Sequence, residues 1–134
     1  MIDIDVARRL QAAGLRWDPA DGDLFAIDAE ELRDEVWMLS SMVIEQDLGR
    51  HGRRVFRFNG TTEWALDSVE EDEAIWLPRE DQLRKALGVR FRTLRQEADG
   101  GFVVELETDG RTREVPAPRA EDALAGALLI ALGS

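Results

Sequence analysis

Hydrophobic and polar positions change their period several times along this chain, and each change marks an element. Val6, Leu10 and Ala13 fall on one helical face behind Asp3, a potential cap, and Gly14 stands where a helix commonly stops. Leu15-Arg16-Trp17-Asp18-Pro19 leads into the turn-rich Ala20-Asp21-Gly22-Asp23, then a short apolar stretch from Leu24 to Ile27. Residues 29–33 have room for one helical turn. From Glu35 to Phe58 the pattern is that of strands. Val36-Trp37-Met38-Leu39 and Met42-Val43-Ile44 are too short for helices and rich in strand formers. Residues 48–53 read as a hairpin loop, with Val55-Phe56-Arg57-Phe58 returning. Asn59-Gly60 is a turn signal, after which Thr61 or Thr62 can cap a short helix carrying Trp64, Ala65 and Leu66.

Ile75-Trp76-Leu77 precedes Pro78, and a helix is expected from Arg79 to Leu87, closed by Gly88. Leu83, Ala86 and Leu87 give it one buried stripe. A meander follows, with strands at 89–96, 102–108 and 111–115. Asp99-Gly100-Gly101 and the two-residue turn Asp109-Gly110 join them. Phe102, Val104 and Leu106 share a face by period-two alternation. Pro116 and Pro118 are expected to end the sheet, and a last helix to run from Arg119 to Leu132. One-sided helices need a sheet face to bury against. The expectation is therefore a single α+β domain over residues 1–134, with an antiparallel, meander-containing sheet packed by N-terminal, central and C-terminal helices.

Composition narrows the function classes. With 134 residues, 44% hydrophobic and 34% charged, the chain is long enough to bury a core and lies within the globular class. It has no cysteine, which removes disulfide scaffolds, thiol catalysis and cysteine-ligated metals and fits a reducing cytoplasm. The N-terminus carries acid where a secretory signal is basic. The apolar run from Ala123 to Leu132 is about half of the roughly 20 residues a membrane span needs, so it reads as a core helix and no membrane association is expected. A net charge of −11 argues against nucleic acid as partner. Lys85 is the only lysine among 17 basic residues, a bias that fits a GC-rich bacterial genome.

Familiar catalytic signatures are missing. There is no phosphate-binding Gly-x-x-x-x-Gly-Lys loop, no dinucleotide fingerprint and no Gly-x-Ser-x-Gly. The single His51 lies between arginines that repel a cation, so neither metal nor cofactor is expected. The acidic run Glu70-Glu71-Asp72-Glu73 lacks the spacing of a calcium loop and reads as a solvated connection. Two segments remain as candidates. Arg50, His51, Arg53 and Arg54 form a dense positive patch whose forks suit carboxylates or phosphates, or serve only to protect a hairpin tip. Asn59, Thr61, Thr62, Glu63, Trp64 and Asp67 gather hydroxyls, carboxylates and an indole at a helix start, where they hold a polar ligand or simply cap and plug. Four tryptophans, 17, 37, 64 and 76, fit either a core or binding hot spots.

The segments Gly14-Leu15-Arg16-Trp17-Asp18-Pro19, Phe58 to Val69, and Ile75-Trp76-Leu77-Pro78-Arg79-Glu80-Asp81-Gln82-Leu83 resemble a family of short actinobacterial proteins loosely labelled pilus assembly protein CpaE. The last stretch is also similar to small proteins of Gram-positive bacteria and their phages. The label implies a role near pilus or secretion machinery. CpaE proteins themselves resemble ParA/MinD ATPases, whose nucleotide loop needs glycines and a lysine. This chain lacks that loop, and Lys85 sits in a helical pattern, so the ATPase implication is not carried over. The leading expectation is a non-catalytic protein-binding or adaptor module in the cytoplasm. The alternative is a small-ligand-binding protein, or an enzyme of unfamiliar type, with a polar site at residues 59–67. A third option, an acidic nucleic-acid mimic, is weakened by the arginines among the carboxylates.

Overall fold

The computed structural model describes residues 1–28, 35–39, 45–48, 54–57, 68–70 and 74–133, of which 45–48, 54–57 and 68–70 are described by backbone only. In chain order the elements are α1 (Ile4–Ala12), β1 (Leu24–Ile27), β2 (Val36–Met38), β3 (Glu45–Leu48), β4 (Arg54–Arg57), β5 (Ser68–Glu70), β6 (Ala74–Leu77), α2 (Glu80–Leu87), β7 (Phe91–Gln96), β8 (Phe102–Thr108), β9 (Arg111–Ala117) and α3 (Ala120–Ala131). The protein is of the α+β class. Its strands form antiparallel sheets in the orders β2-β1-β6, β3-β4-β5 and β7-β8-β9. Two compact units result, one of residues 1–16 with 78–134 and one of residues 17–77.

In the first unit, α3 is the centre. Its sequence is apolar almost all round, and Ala123, Leu124, Ala125, Ala127, Leu128 and Leu129 are all buried. That pattern suits a helix covered on several sides. Strands β8 and β9 pack on it, and so do α1 and α2. Gly126 lies close against β9: a Cβ there would sit 3.0 Å from Val115 Cγ1. The sheet's inner face supplies Val104 and Leu106, both fully buried, as the alternation of β8 predicts. The β8–β9 turn is made by Asp109 and Gly110 at φ 52° and 73°, the left-handed pair that a two-residue hairpin requires.

The helix ends show which polar groups fix the unit. Asp3 makes no side-chain capping bond, contrary to expectation; its carbonyl accepts from Ala7 N at 3.0 Å. The terminal ammonium of Met1 instead donates to Glu121 Oε1 at 2.7 Å, in the first turn of α3. That hydrogen bond holds the Glu121 carboxyl below the ordinary carboxylate range. Gln82 Oε1 accepts from the N–H of Arg79, which precedes α2. Arg119 donates through Nε and Nη2 to Asp122 at 2.8 and 3.2 Å, bracing the start of α3. Pro116 does not end the sheet. It lies within β9 opposite Val103, and β9 runs on to Ala117. A proline is tolerated there because β9 is an edge strand, where the missing N–H faces outward and no ladder bond is lost.

Arg90 joins two helix C-termini. Its Nη1 donates to the Ala131 carbonyl at 3.0 Å and its Nε to the Leu87 carbonyl at 3.3 Å. These oxygens belong to the ends of α3 and α2, where carbonyls lack helical partners and the helix dipole is negative. Arg90→Ala is expected to lower unfolding free energy by about 1–2 kcal/mol in urea titration. Arg90→Lys should recover less than half of that, since an ammonium lacks the fork that spans both carbonyls.

In the second unit β1 is the middle strand between β2 and β6. Phe25, Ala26 and Ile27 are buried, as are Ile75 and Leu77 of β6. The apolar run 24–27 is thus a central strand. Gly22 N and Leu39 N exchange bonds with Leu39 O and Asp23 O at 2.8 Å each, continuing the β1–β2 ladder. β3 and β4 form the hairpin expected around residues 48–53, with Leu48 opposite Arg54, and β5 pairs with the other edge of β4.

Candidate functional site

The two sequence candidates fall almost wholly outside the described residues. Asn59, Thr61, Thr62, Glu63, Trp64 and Asp67 all do, as do Arg50, His51 and Arg53. Arg54 opens β4, and only its backbone is described. The expected strand at 42–44 and the helical turns at 29–33 and around Trp64 also lie outside. Of the acidic run, Glu70 ends β5 and Glu71 to Glu73 are outside.

What the described residues bring together are two clusters, one in each unit. The first gathers Trp17, Trp37 and Trp76, of which Trp17 and Trp76 each stand two residues before a proline, Pro19 and Pro78. Register places Trp37 and Trp76 directly opposite Phe25, on either side of it, so the three rings share one face of the β2-β1-β6 sheet. Trp17 closes over this row. Its ring stacks on Trp76 at 6.4 Å between centroids and 7° between planes, and lies 5.7 Å from Phe25. The indole is fastened by Asp23, a carboxylate with 2% exposure. Asp23 Oδ2 accepts from Trp17 Nε1 at 2.9 Å and from Ala20 N at 3.0 Å. The Asp23 N–H donates back to Ala20 O at 3.1 Å, so the segment is tied to itself by main chain and side chain together. Half-buried rings with a buried carboxylate as clamp make a structural corner. Three of the four tryptophans are accounted for in this way.

The second cluster is on the outer face of the meander, opposite α3. Alternation directs Arg95, Val103, Glu105, Glu107, Thr112, Glu114 and Pro116 to this face. Between Phe91 and Thr93 the register shifts, which makes Arg92 an extra residue in β7. Arg92 reaches Glu107 Oε2 with Nη2 at 2.6 Å and Nε at 3.1 Å, and donates to Val89 O at 2.8 Å. Arg95 spans the sheet, donating to Glu114 at 3.0 Å on the far strand and to Glu97 at 3.1 Å. The bond to Glu114 comes first among the causes that push the Arg95 guanidinium above its ordinary pKa. These side chains remain in solvent, with 41% exposure for Arg95 and 57% for Glu114. Val103 is nevertheless only 7% exposed, since Arg95 and Pro116 flank it directly across the strands.

At one end of this face the surface dips into an open hollow of about 600 Å³. Phe102, Val103, Pro116 and Pro118 line its apolar part, and Glu97 and Asp99 its polar part. No cationic side chain lines it. The turn that forms one wall is rigidly bonded: Gly101 N donates to Asp99 Oδ1 at 2.8 Å, and Glu97 N donates to Gly101 O at 2.7 Å. Sequence reading missed this place. Its only trace there is a Pro-x-Pro pair at a strand end, and nothing local says that residues 97–103 meet residues 116–118.

Chemically, the face offers fixed charges and an apolar recess. Among the described residues no group of three or more acidic or histidine side chains is arranged to hold a metal ion. No described helix is long and apolar enough to cross a membrane. No protein-family model matches the sequence, and comparison with curated proteins and with solved structures gives no significant match.

Proposed function

We propose that this chain is a non-catalytic protein-binding module that docks its partner on the outer face of the β7-β8-β9 meander. One observation supports the reading above others: an open sheet face carries charged side chains held in cross-strand pairs and, at one end, an apolar recess edged by Glu97 and Asp99. A recess with a polar rim is the usual layout of a protein interface. Side chains already fixed in ion pairs lose little rotamer freedom on docking, which lowers the cost of association. Both edges of the sheet are poor templates for an added strand, since β7 carries the bulge at Arg92 and β9 carries Pro116. Recognition through side chains on the face fits this geometry better than strand addition. The chain's net charge of −11 points to a protein partner and away from nucleic acid. A cytoplasmic setting near pilus or secretion machinery, suggested by the family resemblance, belongs to the same proposal.

The test is affinity capture from an actinobacterial lysate with the tagged full chain, beside Thr93→Arg/Thr112→Arg. Both threonines are exposed on the docking face, so the variant blocks it without touching the core. A stoichiometric partner should be recovered with the parent chain and be reduced about tenfold or more with the variant, at unchanged melting temperature. No partner at low or moderate salt, or equal recovery with both chains, would overturn the proposal.

A further inference from the structure

The charges on this face also indicate what kind of partner it receives. We infer that the hollow takes an arginine or lysine side chain from an extended basic segment of a partner protein; the inference rests on the docking face proposed above. Glu105 occupies the middle of the face, directly opposite Glu114 on β9 and Thr93 on β7. Like charges directly opposed across strands repel. Glu114 is relieved by Arg95 at 3.0 Å and Glu107 by Arg92 at 2.6 Å, whereas Glu105 forms no ion pair or hydrogen bond with any described side chain. The face therefore carries Glu97, Glu105, Glu107 and Glu114 against Arg92 and Arg95, an excess of two negative charges.

The hollow has the complementary shape for a long cationic side chain. Phe102, Val103, Pro116 and Pro118 offer apolar surface to an aliphatic stem, and Glu97 and Asp99 stand beside it for the charged head. One Asp99 oxygen is committed to Gly101 N, and Glu97 is shared with Arg95, so both carboxylates are held in place. A second cation on the same segment would meet Glu105, two positions along β8 from Val103. Arginine fits best, because its fork can engage two carboxylates while its stem stays on apolar surface. The blocked edges of the meander leave side-chain insertion as the mode of capture.

The experiment uses the full chain and a fluorescein-labelled decapeptide alternating leucine and arginine, beside its leucine–glutamate counterpart. The arginine peptide should bind, and raising salt from low to moderate concentration should weaken it. Glu97→Gln/Glu105→Gln should weaken it about tenfold at unchanged melting temperature. Amide NMR shifts should centre on Gly101, Phe102, Val103 and Ala117. Absence of binding, equal binding of both peptides, indifference to the double substitution, or shifts centred elsewhere would each overturn the inference. Free arginine amide binding as tightly as the peptide would also overturn it, in favour of a small-amine site. If the peptide fails while lysate capture still depends on Thr93 and Thr112, the docking face stands and only the basic partner is lost. If capture fails as well, both fall.

Discussion

Leu124→Ala should lower the stability of the protein by about 3–4 kcal/mol, the largest effect expected of any single substitution considered. Leu124 is completely buried in α3, the helix against which α1, α2, β8 and β9 all pack. Removing its isobutyl group forfeits transfer free energy and leaves a cavity, because a helix held between four other elements cannot collapse freely to fill it. In a chain of this length the loss should appear as a fall of roughly 10–15 °C in melting temperature by circular dichroism. Leu124→Met, which keeps the volume, should cost less than about 1.5 kcal/mol. A fall of less than 3 °C for the alanine variant would mean that α3 is not the centre of this unit.

Asp23→Ala should cost about 2–3 kcal/mol and be read most clearly through the tryptophans. The carboxylate accepts from Trp17 Nε1 and Ala20 N, and both donors lose their acceptor when it is removed. Trp17 is then free to leave Trp76, so the near-ultraviolet dichroism of the stacked pair should collapse. Asp23→Asn keeps one carbonyl oxygen for the same two donors and should retain most of the stacking at a cost of about 1 kcal/mol. If the aromatic dichroism of the alanine variant matches that of the parent, Asp23 is not the clamp. Urea titration of both variants gives the energies independently of the spectra.

Those two residues differ in how far the sequence discloses them. Leu124 announces itself: it sits in an apolar run of helical length, and a run apolar all round can only be interior. Asp23 does not. In sequence it is one polar residue of Ala20-Asp21-Gly22-Asp23, a turn-forming stretch whose acids are ordinarily solvated. Its burial follows from Trp17 folding back six positions to cover Phe25 and Trp76, which no local pattern records. Trp17 and Trp76 each stand two residues before a proline, but their stacking depends on the register of β6 against β1.

The outer face of the meander was equally hidden. The meander's strands, its Asp109-Gly110 turn and the inward set of Val104 and Leu106 could all be read from alternation and turn chemistry. The outward set is polar in sequence and reads as plain solvated surface. Only the register shows that Arg95 crosses the sheet to Glu114, that Glu105 is left opposing Glu114, and that Pro116 and Pro118 meet Phe102 at a hollow.

The sequence alone determined the α+β class, α1, α2, α3 and the three-stranded meander, because period, caps and turns are set by interactions within a few residues. Tertiary structure decided the rest. Arg90 bridging to Ala131 across 41 positions, Trp17 stacking on Trp76, and carboxylates left in excess on an open face are products of distant segments brought to contact. Local patterns fix which face of an element is apolar. What that face meets, and which charges remain unpaired once it has met it, depends on long-range packing.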